Sequence, residues 1–489
     1  MLDFLTVIKL MDPSNHALAY GSMLLAKSGD LKSYLIDNLV KLVVSHKGRA
    51  SSHVLLSLSP FLKTITHDDF KGQLLQPMLK AMLRNPEMVM ESFSIILGNL
   101  GIDLSQYVTE FSKPFATQLH ASDDSTRAFA VLCVASLGSK CSDAEAILSI
   151  LDSIFKVLAG SEGKLSVASH KLSLLQAAAA LADNSVLSSK KSELCEKATE
   201  YFVKVLETEI HEGTLIQALD ALQLWFGKSA CREVPNVYVQ WIPKGLALKS
   251  ITSALRTGYF QCLLEAILHS SASLKCEPEL LKSISKIMDN ASRQSAQVAI
   301  VTEAVHCAAC YIRMNPEAVA NPNDDVMKVV LDPKLGLFTS EKFLSGASSS
   351  AFKSLALVAE QVILQNSGNN DTWMRALAIG LTNNDGSTRT FVALGAKRLG
   401  NVLGGEKLLK QLASQLNTYL WQSLDLDQDN LKVGNVKTGI ANLVKAFGTD
   451  NGAEMANALL PICFHPAVHA SDSDLWTKSC SALKVDPSE

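Results

Sequence analysis

The sequence predicts an all-α chain built as a solenoid of stacked helix pairs, and three observations predict it. First, Asp123-Asp124-Ser125-Thr126-Arg127 opens a helix with Ala130, Cys133, Val134 and Leu137 at i, i+3, i+4 and i+7, one face of a 3.6-residue period. A near copy, Asp385-Gly386-Ser387-Thr388-Arg389, opens another, with Val392, Gly395, Ala396 and Leu399 in the matching places. Second, Pro77 and Pro114 stand 37 residues apart and Asn85 and Asp123 stand 38 apart, so two successive units share one layout. Third, the 489 residues are 47% apolar, 6% aromatic and 19% charged, with no long alternating run that would require a sheet. A chain longer than roughly 250 to 300 residues outgrows a single core, so it must divide into domains or stack quasi-one-dimensionally.

The repeated opening has a physical reason. An aspartate ahead of the first turn accepts from free backbone N–H groups and suits the positive end of the helix dipole, and the arginine four residues on is placed to reach back to it. Small residues on the inner face let a neighbouring helix approach closely, so each helix is read as packed on both sides. Acid, short turn, Arg and an Ala-rich apolar helix is the second-helix pattern of a HEAT-type repeat. The two copies lie 262 residues apart (389 minus 127). At roughly 40 to 47 residues per HEAT or armadillo repeat, about six units fit between them. The expected fold class is therefore an α-solenoid of HEAT/armadillo-type helix pairs, with a long concave surface.

In chain order, Pro13-Ser14-Asn15 starts a helix and Gly29-Asp30 another, with Leu31, Leu35, Leu39 and Val43 inward. Thr66-His67-Asp68-Asp69 caps a helix containing Pro77, and Asn85-Pro86-Glu87 begins its partner. The layout returns after Asp103, with Pro114 inside one helix and Asp123 starting the next. A mid-helix proline costs about 3 kcal/mol, so two at one period imply a tolerated kink in each first helix. Helices are expected from Ser142 to Leu158, around Leu174 to Leu181, from Val186 to Glu209 and from Glu212 to Gly227, with a turn at Gly160-Ser161-Glu162-Gly163. The rhythm weakens between Ser229 and Pro243 and recovers at Ser250–Ser270, Glu277–Ala291 and Ala296–Met314. Pairs resume at Ser340–Gln365, Thr372–Thr382, the Asp385 helix, Glu406–Leu424 and Leu431–Phe447.

These readings divide the chain into HEAT-like repeats over 1–314, an irregular loop over 315–337 containing Pro316, Pro322 and Pro333, and HEAT-like repeats over 338–489 that continue the same solenoid. Neither end reads as a polar capping repeat. Asp486-Pro487-Ser488-Glu489 resembles the start of another helix, so the chain reads as a segment of a longer scaffold.

The net charge of -3, from 45 basic and 48 acidic residues, announces neither a membrane nor a sequence-specific nucleic-acid binder. The apolar start, Met1 to Met11, is too short for a span and carries Asp3. Ten scattered cysteines, mostly on helical faces, read as buried thiols in a reducing compartment, the cytosol. Two clusters resemble metal or thiol sites, namely His306-Cys307 with Cys310, and Cys463, His465 and His469. Neither has the further ligands at suitable spacing that zinc requires, and packing is the reading preferred for both. Gly400, Gly404 and Gly405 follow a helix, where C-capping explains them. Trp225 and Trp241 are candidates to anchor a partner or to fill space between helices. No catalytic, cofactor-binding or metal residue is assigned, no cofactor is expected, and the partner-binding residues are left open.

A set of short motifs carries a family resemblance in chain order. They are Asp103-Leu104-Ser105-Gln106-Tyr107, Gly160-Ser161-Glu162-Gly163-Lys164-Leu165, His211-Glu212-Gly213-Thr214-Leu215, Glu233-Val234-Pro235, and Leu248 to Ala254. Thr302-Glu303-Ala304-Val305, Phe338 to Leu344, His465-Pro466, Leu475-Trp476 and Lys484-Val485-Asp486-Pro487 follow. Together they resemble the N-terminal part of the general control non-derepressible translational activator family. The resemblance implies a very large, non-enzymatic, cytosolic HEAT-repeat scaffold associated with translating and stalled ribosomes or polysomes. Such a scaffold helps activate the kinase of translation initiation factor 2 alpha under amino-acid starvation. The kinase and an ATP-binding-cassette partner would bind regions that this chain does not contain. The alternative reading is a generic α-solenoid adaptor, such as a transport or phosphatase scaffold.

Overall fold

The computed structural model describes residues 29–44, 50–161, 163–229, 245–246, 251–269, 276–365, 370–424, 430–448 and 457–459. Among them every regular element is helical, and the helices fall into two compact units, Met1–Val239 with Leu268–Ala272, and Gln240–Ile267 with Ser273–Glu489.

The first unit contains α1 (Gly29–Val44), α2 (Leu75–Arg84), α3 (Pro86–Asn99), α4 (Val108–Leu119), α5 (Asp124–Ser139), α6 (Ala144–Leu158), α7 (Ala168–Ala180), α8 (Ser188–Thr208) and α9 (Glu212–Ser229). They form two layers. Helices α3, α5, α7 and α9 pack in series as an inner layer, and α2, α4, α6 and α8 pack in series outside it. Each outer helix lies against its inner partner, α4 on α5, α6 on α7 and α8 on α9, which is the helix-pair stack expected of the sequence. The core sits between the layers. Leu35, Leu39 and Val43 of α1 are buried as expected, with Ile36 beside them, and the side chain of Leu31 lies outside the described residues.

Local chemistry fixes where these helices start. Thr66 and Asp69 form a reciprocal capping box ahead of Pro77. The chain then makes one π turn, Phe70–Leu74, before α2. Pro77 has no N–H for the carbonyl of Gln73 and its ring crowds that carbonyl, and a widened turn immediately before it relieves both problems. Pro114, by contrast, sits inside a continuous α4. The two prolines therefore share a spacing but not a local structure.

Asp123 accepts from the Thr126 N–H at 2.7 Å, and Asp385 accepts from the Thr388 N–H at 2.8 Å. The arginine behaves differently from the expectation. Arg127 donates to the carbonyls of Ala121 (2.7 Å) and Ser122 (3.0 Å) and pairs with Asp124, and Arg389 donates to the carbonyls of Asn383 and Asn384. Serine, threonine and the backbone already crowd the capping carboxylate, so the guanidinium ties down the incoming turn instead.

The second unit contains α10 (Ser253–His269, to Ile267 within this unit), α11 (Pro278–Arg293), α12 (Val298–Met314), α13 (Asp325–Leu331), α14 (Glu341–Gly346), α15 (Ser349–Gln365), α16 (Asp371–Leu381), α17 (Gly386–Leu403), α18 (Gly405–Leu424) and α19 (Asn430–Phe447). Here α12, α15, α17 and α19 pack in series, while α16 and α18 pair outside them. Gly439 of α19 crosses Leu381 so closely that a Cβ there would lie 2.2 Å from the Leu381 carbonyl oxygen, a space only glycine leaves.

Two stretches differ from the sequence reading. Residues 315–337, read as an irregular loop, hold a 3-10 turn at Pro316–Ala320 and the helix α13, whose N-cap Asp324 accepts from the N–H groups of Val326 and Met327. Val326, Met327 and Val330 are buried, and α13 packs on α11. Prolines spaced through the stretch masked this short helix. The span Ser340–Gln365, given without an internal break, divides at Ala347 into α14 and α15, and Ser348 Oγ accepts from the Ala351 N–H to start the second. The expected helix after Pro13, the weak stretch from 230 to 244 and the terminal Asp486-Pro487 lie outside the described residues.

Candidate interaction surface

Helices one repeat apart are joined by a recurring hydrogen bond that the sequence periodicity does not display. Cys133 Sγ donates to the Met90 carbonyl (3.1 Å, 43 residues away), Trp225 Nε1 to the Ala178 carbonyl (2.9 Å, 47 away) and Cys310 Sγ to the Phe260 carbonyl (3.2 Å, 50 away). In each case a side chain spends its donor on a carbonyl of a helix 43 to 50 residues earlier, using the second lone pair that helical bonding leaves free. Trp225 is fully buried and serves as one of these rungs, so it is not an exposed anchor.

Charged groups add further rungs in the second unit. Glu303 of α12 is 1% exposed, and it pairs with Arg256 of α10 and accepts from Ser253. Arg256 also donates to the Ile251 carbonyl at 2.8 Å. Glu360 of α15 meets Arg398 of α17 at 3.2 Å. His306 lies buried between Gln261 (3.1 Å) and Ser354 (2.7 Å), and burial, with the charge of Lys353 adding, pushes its pKa down to about 3. It is a neutral hydrogen-bonding group in the stack.

His306, Cys307 and Cys310 share α12 but do not converge. Burial raises both thiols well above the ordinary cysteine range. A thiol held that high has little thiolate to bind metal or attack a substrate. Among the described residues no three His, Cys, Asp or Glu side chains are grouped to hold a metal ion. Gly404 has φ +92° and donates to the Gly400 carbonyl, so it C-caps α17, and α18 starts at Gly405. Cys195, buried on α8, is disulfide-bonded, which departs from the expectation of free thiols. Cys463, His465, His469 and Trp241 lie outside the described residues.

Several of the motifs that carry the family resemblance hold turns and seams, while Glu233 to Pro235, Leu248 to Ser250, His465-Pro466, Leu475-Trp476 and Lys484 to Pro487 lie outside the described residues. Asp103 accepts from the Ser105 N–H at 2.9 Å and from the Ser142 hydroxyl one repeat later, stapling two turns together. Burial opposes ionisation of Asp103, and the hydrogen bonds from Ser105 and Ser142 outweigh it, so its pKa is lowered. His211 Nδ1 accepts from the Thr214 N–H at the start of α9, Glu303 is the buried acid described above, and Ser340 caps α14.

The outer layer of the first unit opens into a groove of about 990 Å³ between α6 and α8. Phe155, Leu158 and Val205 form an apolar floor, and Phe155 stacks on Tyr201 with ring centres 5.0 Å apart. Lys156 pairs with Asp152 at 2.6 Å and Lys171 with Glu209 at 2.6 Å. Lys164 and Lys204 also line it. Sequence reasoning missed this site because its residues come from four helices, α6 to α9, and the turns between them, so they are scattered over more than one repeat. The only local signal was Ile210, an isoleucine in a polar turn.

No helix among the described residues is long and apolar enough to cross a membrane. Residues 32–165 match the family described as "Stalled ribosome sensor GCN1 N-terminal". The human protein named "Stalled ribosome sensor GCN1" is 30% identical over 487 residues, covering 93% of this chain and 18% of the human protein, and the mouse protein of that name is 30% identical over 482 residues with the same coverage. "Protein ILITYHIA" of Arabidopsis thaliana is 28% identical over 235 residues, covering 47% of this chain and 8% of that protein. The chain thus spans 18% of the length of its two mammalian relatives. Identity sustained across nearly the whole chain, on a stack of helix pairs whose seams and turns hold several of the resembling motifs, places this chain in the GCN1 family.

Proposed function

We propose that this chain is part of a ribosome-associated scaffold and acts through its surface, without catalysis, within the cytoplasm. The observation that carries the reading is the 30% identity, over 93% of the chain, to proteins named as stalled ribosome sensors. The helix-pair stack supports it, because such stacks present extended surfaces to large partners. In this reading the helical repeats of 1–314 and 338–489 serve one arm that docks on stalled ribosomes or polysomes. Through regions outside this chain, the whole scaffold promotes phosphorylation of translation initiation factor 2 alpha during amino-acid starvation by engaging its kinase and an ATP-binding-cassette partner.

The test is to remove residues 29–447 from a full-length family member in cells and to follow phosphorylation of initiation factor 2 alpha on starvation. The expected result is a loss of the response while the remaining protein accumulates normally. An intact response would contradict the reading.

A further inference from the structure

The groove lies where α6 and α8 pack on each other, and that packing leaves apolar surface at its mouth uncovered. Its floor is apolar and its wall is stiffened by the Phe155–Tyr201 stack, over which Lys204 Nζ lies 5.8 Å from the Tyr201 ring centre. At the mouth Ile210 is 93% exposed, the largest exposure of any large apolar side chain among the described residues. Leu165 forms part of the opposite wall. An isoleucine left in water beside an apolar floor marks a surface that gains by being covered. Of the four lysines, two are neutralised by Asp152 and Glu209, whereas Lys164 and Lys204 form no ion pair with a described residue.

We propose that this groove binds a short extended segment of a partner protein, with an apolar side chain on the Phe155, Leu158 and Val205 floor and an acidic side chain between Lys164 and Lys204. The two carboxylates in the same groove favour a peptide over a nucleic-acid strand. Glu209 accepts from Lys171 and from the N–H groups of Ile210 (2.9 Å) and His211 (3.0 Å). Burial opposes its ionisation, but these bonds outweigh that effect and lower its pKa, so it stays charged. A strand with a phosphate at every step would have to pass both Glu209 and Asp152, while a peptide needs only one acid, set at the two open lysines. The inference does not depend on the ribosome reading.

The test is selection of a random peptide library displayed on phage against the whole chain, followed by affinity measurements with the enriched peptides and with single-stranded oligouridylate. Enriched sequences should pair an apolar residue with neighbouring aspartate or glutamate. The double variant Lys164→Glu, Lys204→Glu should weaken them by about tenfold or more, as expected for removing and reversing two surface charges. Ile210→Ser should weaken them without changing the thermal melt, and Lys113→Glu, an exposed change outside the groove, should have no effect. Absence of enrichment, enrichment of basic or uncharged sequences, or indifference to the double variant would overturn the proposal. Oligouridylate binding that is lost in the double variant, with no peptide enriched, would assign the groove to RNA instead.

Discussion

Trp225 and Ala178 are joined across the seam between α9 and α7, the indole N–H donating to the main-chain carbonyl 2.9 Å away. This bond fixes both the depth of the indole and the register of one inner helix against the next. Trp225→Phe keeps an aromatic ring but removes the donor and part of the volume, and should cost about 1 to 3 kcal/mol. In a quasi-one-dimensional stack the damage stays local. Amide hydrogen exchange should therefore accelerate in α7 and α9 and stay unchanged in α17, and uniform acceleration would argue against a stack of local seams.

The Arg256–Glu303 pair makes a sharper demand, because Glu303 is almost fully buried. Removing one member of a buried pair strands the other charge, so Glu303→Ala should cost about 3 kcal/mol or more. Replacing both with methionine should recover most of the loss, since an apolar pair of similar volume avoids the desolvation of two ions. Urea unfolding midpoints of the single and double variants decide this. A single variant as stable as the parent would mean that the pair is not buried in solution.

Asp385 supplies a pH dependence whose sign is fixed by its partners. The Ser387 hydroxyl, then the N–H and hydroxyl of Thr388, hold its carboxyl at about 2 against an ordinary 3.8. A lowered folded pKa contributes stability that is complete above about pH 4 and is lost as the pH falls toward about 2. The first turn of α17 should lose exchange protection over that window. Asp385→Asn keeps a capping oxygen without a titrating group, and should flatten the profile while retaining most of the helix start.

The thiols test the metal and nucleophile readings. Burial raises Cys133, Cys307 and Cys310, and lifts Cys141 to about 12, burial being its main cause with the charge of Asp103 adding. None of these four should react with a thiol reagent at neutral pH until the chain is unfolded, and purified protein should carry no stoichiometric zinc that Cys307→Ser removes. Rapid labelling of Cys307 or Cys310 in the folded chain, or zinc lost with Cys307, would revive the enzyme reading.

Much of the fold was legible because helix starts are written in short local patterns. Asp123, Asp385 and the Thr66 to Asp69 box each satisfy free N–H groups within a few residues, Pro86 at the first helical position has no N–H to satisfy, and all four starts stand where the sequence placed them. The break at Ala347 and the helix α13 were hidden because a serine cap in a serine-rich run and a helix of under two turns leave no period to read. Seam chemistry was illegible for another reason. Cys133 to Met90, Trp225 to Ala178 and Arg256 to Glu303 join residues 43 to 47 apart, and only the superposition of repeats brings them together. The groove between α6 and α8 shares that cause, since its floor and its open lysines come from different repeats.

The measurement that bears most directly on the central claim is co-sedimentation of the purified chain with ribosomes and polysomes, at low and at physiological salt. Surface attraction through exposed charge alone fades over a Debye length of about 8 Å at physiological ionic strength, whereas a shaped interface persists. The account predicts that the chain pellets with ribosomes at both salts. A chain that remains in the supernatant at both would contradict a ribosome-docking arm within these residues.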